Sequence, residues 1–337
     1  MTTAIVATAF GGPEVLSVVD VDVSAPGPGE VTVRVVAASV NPIDHKRFSG
    51  TMGADPARLP MRIGSEAAGV VTAVGPGAEG PAGPLAVGDE VVVYPAPGAF
   101  AGELTVAARN VVPKPADVSW EEAAAVLLVG ATAVHALEVV GAGAGDTLVV
   151  HGASGGVGSL VTQLALARGA AVVATASERH HETLRGYGAV PVTYGAGLAD
   201  RIRRAAPSGV DAAVDAVGTD EAVDTSLELV ADRRRIVSIA AFGRASEGIA
   251  LIGGGPGADP GIEIRSNAWR TLLPALADGT LRVVVARTFP WSRRPRRSRS
   301  SRAGTRAARS CCGPDGTRPR LGRVPASERH RPDTSPT

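Results

Sequence analysis

The sequence predicts an α/β protein in which a doubly wound parallel sheet follows a β-rich, barrel-forming segment. Three observations predict it. Strand and helix patterns alternate from about residue 147 to about residue 240, at the spacing of βαβ units. Residues 1–118 instead carry short runs punctuated closely by Pro and Gly, which suits a Greek-key or partly closed barrel. Of the 337 residues, 45% are hydrophobic and only 3% aromatic. The cores must then be built from Val, Ala, Leu and Ile, as in parallel sheets covered on both faces.

Taken in order, Val31–Val36 and Gly69–Gly75 are strands, and Gly88–Tyr94 is a strand after a turn. At Ser119 the texture changes. Ser119-Trp-Glu-Glu122 is a capping box, in which Ser caps the helix and Glu122 reaches back. The helix is expected to continue through Ala123–Leu128 toward Gly141. Further strands are expected at 147–151, 171–175, 190–193, 211–216 and 235–240, and helices at 156–168, 178–186, 197–205 and 220–231. A helix at 266–279, ended by Gly279, and a strand at 281–289 follow. No internal repeat is present.

The net charge of +1 hides a division. From Trp291 onward there are 13 Arg and 3 acidic residues, a net +10, which leaves −9 on the preceding residues. The tail 291–337 has no apolar face to bury and is expected to be disordered. The two cysteines, Cys311 and Cys312, both lie in it, so neither a disulfide framework nor a Cys-based zinc site is available to the rest. No apolar run approaches the roughly 18 residues of a membrane span, and no signal-peptide pattern precedes the first strand. A cytoplasmic protein with no membrane association is expected.

The most informative stretch is Thr147–Ser159. Leu148, Val149 and Val150 supply a buried strand. Ala153-x-Gly155-x-x-Gly158 is a variant of G-x-G-x-x-G, and a helix follows toward Arg168-Gly169. In that strand–turn–helix setting the turn lets the backbone approach a pyrophosphate, and the helix aims free N–H groups and its positive dipole end at it. The plain alternative is an ordinary glycine-rich loop.

Seven segments in this order resemble a known family: Val40-Asn-Pro-Ile-Asp-His-Lys46, Ile63–Val71, Val87–Val91, Val112–Pro115, Gly130–Ala133, His151–Gly158 and Val214–Gly218. Together, over roughly residues 1–290, they are similar to the medium-chain dehydrogenase/reductase superfamily in its zinc-free quinone oxidoreductase (ζ-crystallin-like) branch. The resemblance implies a Rossmann domain inserted in a GroES-like β-barrel domain. It divides the chain into 1–118 (barrel), 119–260 (Rossmann), 261–290 (return to the barrel) and the tail. It also implies NAD(P)H-dependent reduction in the cleft between the domains, by a homodimer. The family continues past Pro290 into an apolar helix and a closing strand, where this chain has Arg, Ser and Pro. A reading-frame shift near Trp291 is one explanation, since a GC-rich gene read out of frame yields this composition. The other is a genuine basic tail that binds nucleic acid or an acidic partner. Nucleic acid is the less favoured partner.

Zinc-dependent relatives place Cys and His where this chain has Asn41 and Ser65 (in Gly64-Ser65-Glu66), so no zinc is expected. Hydride transfer needs no metal when the acceptor is a quinone or an α,β-unsaturated carbonyl. Such an acceptor needs orientation and a donor or dipole for its oxygen. The resemblance places Asn41, Asp44 and Lys46 in the active cleft: Asn41 as donor to the substrate oxygen, Lys46 as a cation for developing negative charge or a cofactor phosphate, and Asp44 orienting Lys46 or a ribose hydroxyl. The alternative is a polar turn after a strand.

For the cofactor the resemblance points to Thr132, to the turn Ser154, Gly155, Gly156, Val157 and Gly158, to Val217 and Gly218, and to Ala240, Ala241 and Phe242. The second strand ends Ala174-Thr-Ala-Ser177, without the acid that binds a ribose 2′-hydroxyl in NAD enzymes. Ser177, Arg179 and Tyr194 match positions that contact the 2′-phosphate, so NADPH is favoured over NADH. Glu178 would oppose the phosphate if it turned inward. The expected activity is thus a zinc-independent NADPH-dependent reductase of a quinone or enone. An enoyl reductase of polyketide or fatty-acid tailoring is the alternative, and nucleic-acid binding through the tail an alternative of another class.

Overall fold

The alternation in Val31–Val36 becomes the central strand of a barrel-like sheet. The computed structural model describes residues 1–290 and the backbone of 309–313. In chain order the first part comprises β1 (Thr2–Ala7), β2 (Leu16–Val21), β3 (Glu30–Val40), α1 (Pro42–Phe48), β4 (Met61–Arg62), β5 (Ala67–Val74), β6 (Glu79–Gly80), β7 (Gly83–Pro84), β8 (Glu90–Val93), β9 (Glu103–Ala107) and β10 (Val111–Pro113). β3 pairs antiparallel with both β5 and β9. Val31, Val33 and Val35 face a core shared with Val71, Val91, Val93, Leu104 and Val106, and Phe48 and Phe100 pack into it. β-branched residues build this sheet, with burial alternating cleanly in β9 while β3, β5 and β8 are buried on both faces along part of their length.

The second part comprises α2 (Trp120–Ala124), α3 (Leu127–Val140), β11 (Thr147–His151), α4 (Gly156–Ala167), β12 (Ala171–Thr175), α5 (His181–Tyr187), β13 (Val190–Val192), α6 (Leu198–Ala205), β14 (Ala212–Asp215), α7 (Asp220–Leu229), β15 (Ile236–Ser238) and β16 (Ala250–Leu251). Its six strands run parallel in the order β13-β12-β11-β14-β15-β16. Leu148, Val150, Val172 and Val214 enter the core beneath α3 and α4. Val149, Val173 and Ala213 enter the core with Ile202 of α6 and Val223 of α7. Burial on both faces explains the continuous apolar runs in these strands. The order reverses at β11, with β12 on one side and β14 on the other, so the binding crevice of such a sheet lies at its carboxyl end here.

The chain closes with α8 (Ile262–Asn267), α9 (Trp269–Ala277), β17 (Val285–Pro290) and β18 (Arg309–Gly313). β18 runs parallel to β17 and antiparallel to β3, between them in the barrel sheet. These five tail residues therefore form a strand, because the edges of β3 and β17 offer unpaired backbone groups that their backbone satisfies. Residues 291–308 and 314–337 lie outside the described residues, and with them the expectations of a disordered or frame-shifted tail.

Several elements differ from the sequence expectation; the helix expected at 178–186, for one, is a 3-10 turn at Glu178–His180 followed by α5. The helix after Ser119 breaks at Ala125–Val126: its capping box forms as read, but Leu128 N–H donates to the Glu66 carboxylate at 2.8 Å, which starts a new helix. The helix expected at 266–279 is two helices meeting at Ala268. The strand expected from 281 begins at Val285, because Arg282 is tied through its N–H and C=O to the Gln163 side chain of α4 (2.8 and 3.1 Å).

Candidate active site

The glycine turn sits at the carboxyl end of β11. Ala153 N–H donates to Thr175 O of the neighbouring strand (3.0 Å), and Gly155 N–H to Gly152 O (2.8 Å). α4 then starts with Gly155 as its cap, with no side-chain cap bond, so the N–H groups of its first turn remain available to an anion. A Cβ on Gly158 would lie 2.3 Å from Gly152 O; only glycine lets the helix seat this closely on the turn. Ser154, Gly155 and Gly156, with Ser159, His180 and Tyr187, line a cavity of about 130 Å³. A larger cavity of about 390 Å³ lies between 82–91 and 111–116 of the barrel, away from the glycine turn, and no expected site residue lines it. This open helix end and the cradle that only glycine leaves fit a dinucleotide phosphate.

The other segments expected to face the cofactor are fixed by a pair that the sequence alone does not single out. Buried Asp215, at the end of β14, accepts from Val217 N–H and Gly218 N–H (both 2.9 Å) and from Ser238 Oγ–H (2.7 Å). Ser238 Oγ in turn accepts from Ala240 N–H (3.1 Å) and Ala241 N–H (2.9 Å). One carboxylate and one hydroxyl thus lock both turns that carry Val217, Gly218, Ala240 and the start of the Phe242 segment. Asp215 lies within the Val214–Gly218 motif, which was the available signal.

At the end of β12, Ser177 is half-buried, while Glu178 and Arg179 are exposed. Arg179 Nε–H donates to His180 Nε2 (3.1 Å). Tyr194 is 61% exposed, on a loop held by Arg201, whose guanidinium binds the carbonyls of Thr193, Gly195 and Ala196 at 2.7–2.8 Å. Three side chains that the resemblance gathers thus lie beside a sheet end without a carboxylate in the strand.

Across from the sheet, Asn41 caps α1. It is buried, and its amide N–H donates to Ser39 Oγ (2.8 Å) and Glu66 Oε1 (3.0 Å). The fully buried Glu66 also receives Ser39 Oγ–H and, on its other oxygen, Leu128 N–H. Asp44 accepts from Asn41 N–H (2.8 Å) and from Ser65 Oγ–H (2.6 Å). Burial pushes its carboxyl up to about 6, against the pull of Ser65, Asn41 N–H and Arg47. The cation facing this network is Arg47, whose Nη1–H donates to Ser65 Oγ (3.0 Å); Lys46 is exposed on the outer face of α1. The helical phase explains this, since Asp44, Arg47 and Phe48 share one face. Thr132, inside α3, donates to Leu128 O (2.9 Å) and accepts from Arg265 Nη1–H (3.1 Å). Among the described residues no group of three or more His, Cys, Asp or Glu is placed to hold a metal, and no helix is long and apolar enough to cross a membrane.

Comparison with known proteins bears on this arrangement. Residues 27–116 match the alcohol dehydrogenase GroES-like domain, and residues 156–254 the zinc-binding dehydrogenase family. A quinone oxidoreductase of Pseudomonas aeruginosa is 37% identical over 244 residues, 71% of this chain and 72% of that protein. A mycocerosic acid synthase-like polyketide synthase of Mycolicibacterium smegmatis is 37% identical over 234 residues, 68% of this chain but only 11% of that protein. A mycobacterial protein solved in complex with NADPH superposes with a TM-score of 0.80 at 31% identity, covering 93% of this chain and all of that one. Rossmann sheet, GroES-like barrel and glycine turn define an NAD(P)H-dependent oxidoreductase. The chain belongs to the medium-chain dehydrogenase/reductase superfamily, in its quinone oxidoreductase branch.

Proposed function

We propose that the protein is a zinc-independent, NADPH-dependent reductase of quinones or α,β-unsaturated carbonyls. The observation that carries the cofactor choice is the end of β12, where Ser177 and Arg179 stand in place of an acid. NADPH, when bound, supplies a hydride to an electrophilic carbon of the acceptor. The turn 154–158 holds the pyrophosphate, Ser177, Arg179 and Tyr194 the 2′-phosphate, and Thr132, Ala240 and Phe242 border the nicotinamide. Asn41 and Asp44 shape the floor of the cleft, and Arg47, rather than the outward-facing Lys46, is the cation beside them.

Zinc independence rests on donor chemistry. Asn41 and Ser65 replace thiolate and imidazole, and both side chains are committed to hydrogen bonds within the barrel. We further assign residues 1–118 and 261–290 to the catalytic domain and 119–260 to the cofactor domain, working as a homodimer in the cytoplasm, in keeping with the family resemblance. The match to part of a polyketide synthase favours a second reading, an enoyl reductase, with the same cofactor site and a different acceptor.

Fluorescence titration of the full chain with NADPH and NADH tests the cofactor. Tighter NADPH binding is expected, and Arg179→Ala should weaken it about 10–100-fold, the loss of one charge-assisted hydrogen bond, while leaving NADH unchanged. Preference for NADH would reject the assignment of Ser177, Arg179 and Tyr194. Turnover with quinones and simple enones, against acyl-thioester enones, separates the two acceptor readings.

A further inference from the structure

Arg265 of α8 reaches back to α3 in an arrangement that leaves part of its guanidinium unused. Gly261, just before α8, has φ of +56°, and a Cβ there would stand 2.2 Å from His135 Cε1. Its backbone therefore lies flat on a fully buried imidazole. Arg265 Nε–H donates to His135 Nδ1 at 3.2 Å. Arginine only donates, so Nδ1 accepts and the ring proton sits on Nε2, 3.1 Å from Asp259 Oδ2. Burial lowers the imidazole's proton affinity, opposed by Asp259 and helped by Arg265, which keeps the ring an acceptor. Asp259 is itself fixed by Gly261 N–H at 2.8 Å. His135 and Thr132 thus hold the guanidinium from one side, with Asp259 fixing the imidazole.

Nη2 is what remains. It is buried and makes no well-formed hydrogen bond among the described residues. Its surroundings are the backbone of Gly253, where a Cβ would stand 4.0 Å away, and the Tyr94 phenol of the barrel, which the Arg265 guanidinium approaches closely enough for a weak side-chain hydrogen bond. Burial pushes that phenol up, so it keeps its proton. No described carboxylate forms an ion pair with Arg265. A guanidinium held rigidly by neutral partners, with desolvated donors left over, is poor design for stability. It is what a preorganised receptor for developing negative charge requires. With Thr132 bordering the nicotinamide as proposed above, the Arg265–Thr132 bond puts the guanidinium beside that end of the cleft, and Tyr94 puts it against the barrel.

We propose that Arg265 is a catalytic residue of the reductase, its Nη2–H groups donating to the acceptor oxygen. This rests on the reductase reading above. As the acceptor carbon gains a hydride, its π pair moves to oxygen; the acceptor is reduced by two electrons, the nicotinamide is oxidised by two, and the oxyanion then takes a proton from water. Arg265 stabilises the oxyanion without giving up its own proton. It favours acceptors whose oxygen is conjugated to the reacting carbon.

The test compares the full chain with Arg265→Met and Arg265→Lys, using 1,4-naphthoquinone and cyclohex-2-enone. NADPH fluorescence titration and the thermal midpoint report fold and cofactor site. NADPH affinity within about twofold of the parent is expected for both variants. For Arg265→Met, kcat should fall about 100-fold or more with KM changed little, as for loss of one oxyanion donor, and Arg265→Lys should recover part of the loss. A methionine variant with kcat within threefold of the parent overturns the proposal. So does a parallel loss of NADPH affinity and kcat, which would mark the arginine as part of the cofactor site. A parent chain that binds NADPH and reduces neither acceptor sinks the reductase reading along with it.

Discussion

Asp44 is the residue whose chemistry departs furthest from its sequence appearance. A carboxyl held near 6 by burial is carried mostly protonated by the folded chain between about pH 4 and 6, while the unfolded chain has lost its proton. The folded state thus binds more protons over that window, and its stability falls as pH rises through it. The penalty is absent below about 3.8, complete above about 6, and on the order of 3 kcal/mol. Urea unfolding of the parent and Asp44→Asn across pH 4–7.5 should show the parent losing about that much relative to the variant. A constant difference between the two would mean that Asp44 ionises like a surface acid. His151 works in the opposite sense: burial lowers its proton affinity, so the neutral ring favours the fold at neutral pH and that contribution is lost in acid. The choice between Lys46 and Arg47 also belongs to this scale. The motif drew attention to Lys46, yet the phase of α1 puts Arg47 beside Asp44 and Phe48, a spacing legible in the sequence once the helix is drawn.

At the scale of elements, the parallel strands were legible because both faces are buried. β11 and β12 span the residues expected, and β14 and β15 fall inside their expected spans. What was not legible depends on pairs far apart in sequence: Glu66 with Leu128, Asp215 with Ser238, Thr132 with Arg265. Such contacts leave no periodic trace, and the first of them divides a helix that composition alone would run through. The glycine turn was legible as a motif, and the structure adds its steric reason. Gly158→Ala should force α4 away from Gly152 O, costing about 1–3 kcal/mol and weakening NADPH binding at least tenfold. Thermal melts and fluorescence titration check both. Parent-like affinity would mean that the backbone at 152 yields and that the close approach is dispensable.

For the whole molecule, the closing strand decides whether the barrel is sealed. β18 joins β3 to β17. A chain ended after Pro290 loses that strand and exposes two edges with unpaired N–H and C=O groups. Its thermal midpoint should drop and its tendency to aggregate rise, read by light scattering during a melt, while NADPH binding at the distant glycine turn persists. An unchanged midpoint would show that 309–313 contribute nothing to closure. The Glu66–Leu128 bond has a further consequence, for recombination. The side chain of Glu66, buried in the barrel sheet, accepts the N–H of Leu128 at the start of α3, so the two parts of the chain share one buried hydrogen-bonded group. A second half exchanged with a relative that lacks a receptive helix start at this point would take one backbone donor from Glu66, leaving Ser39 and Asn41 on its other oxygen. Chimaeras of this fold should therefore be joined so that residue 66 and the backbone at 128 come from the same parent.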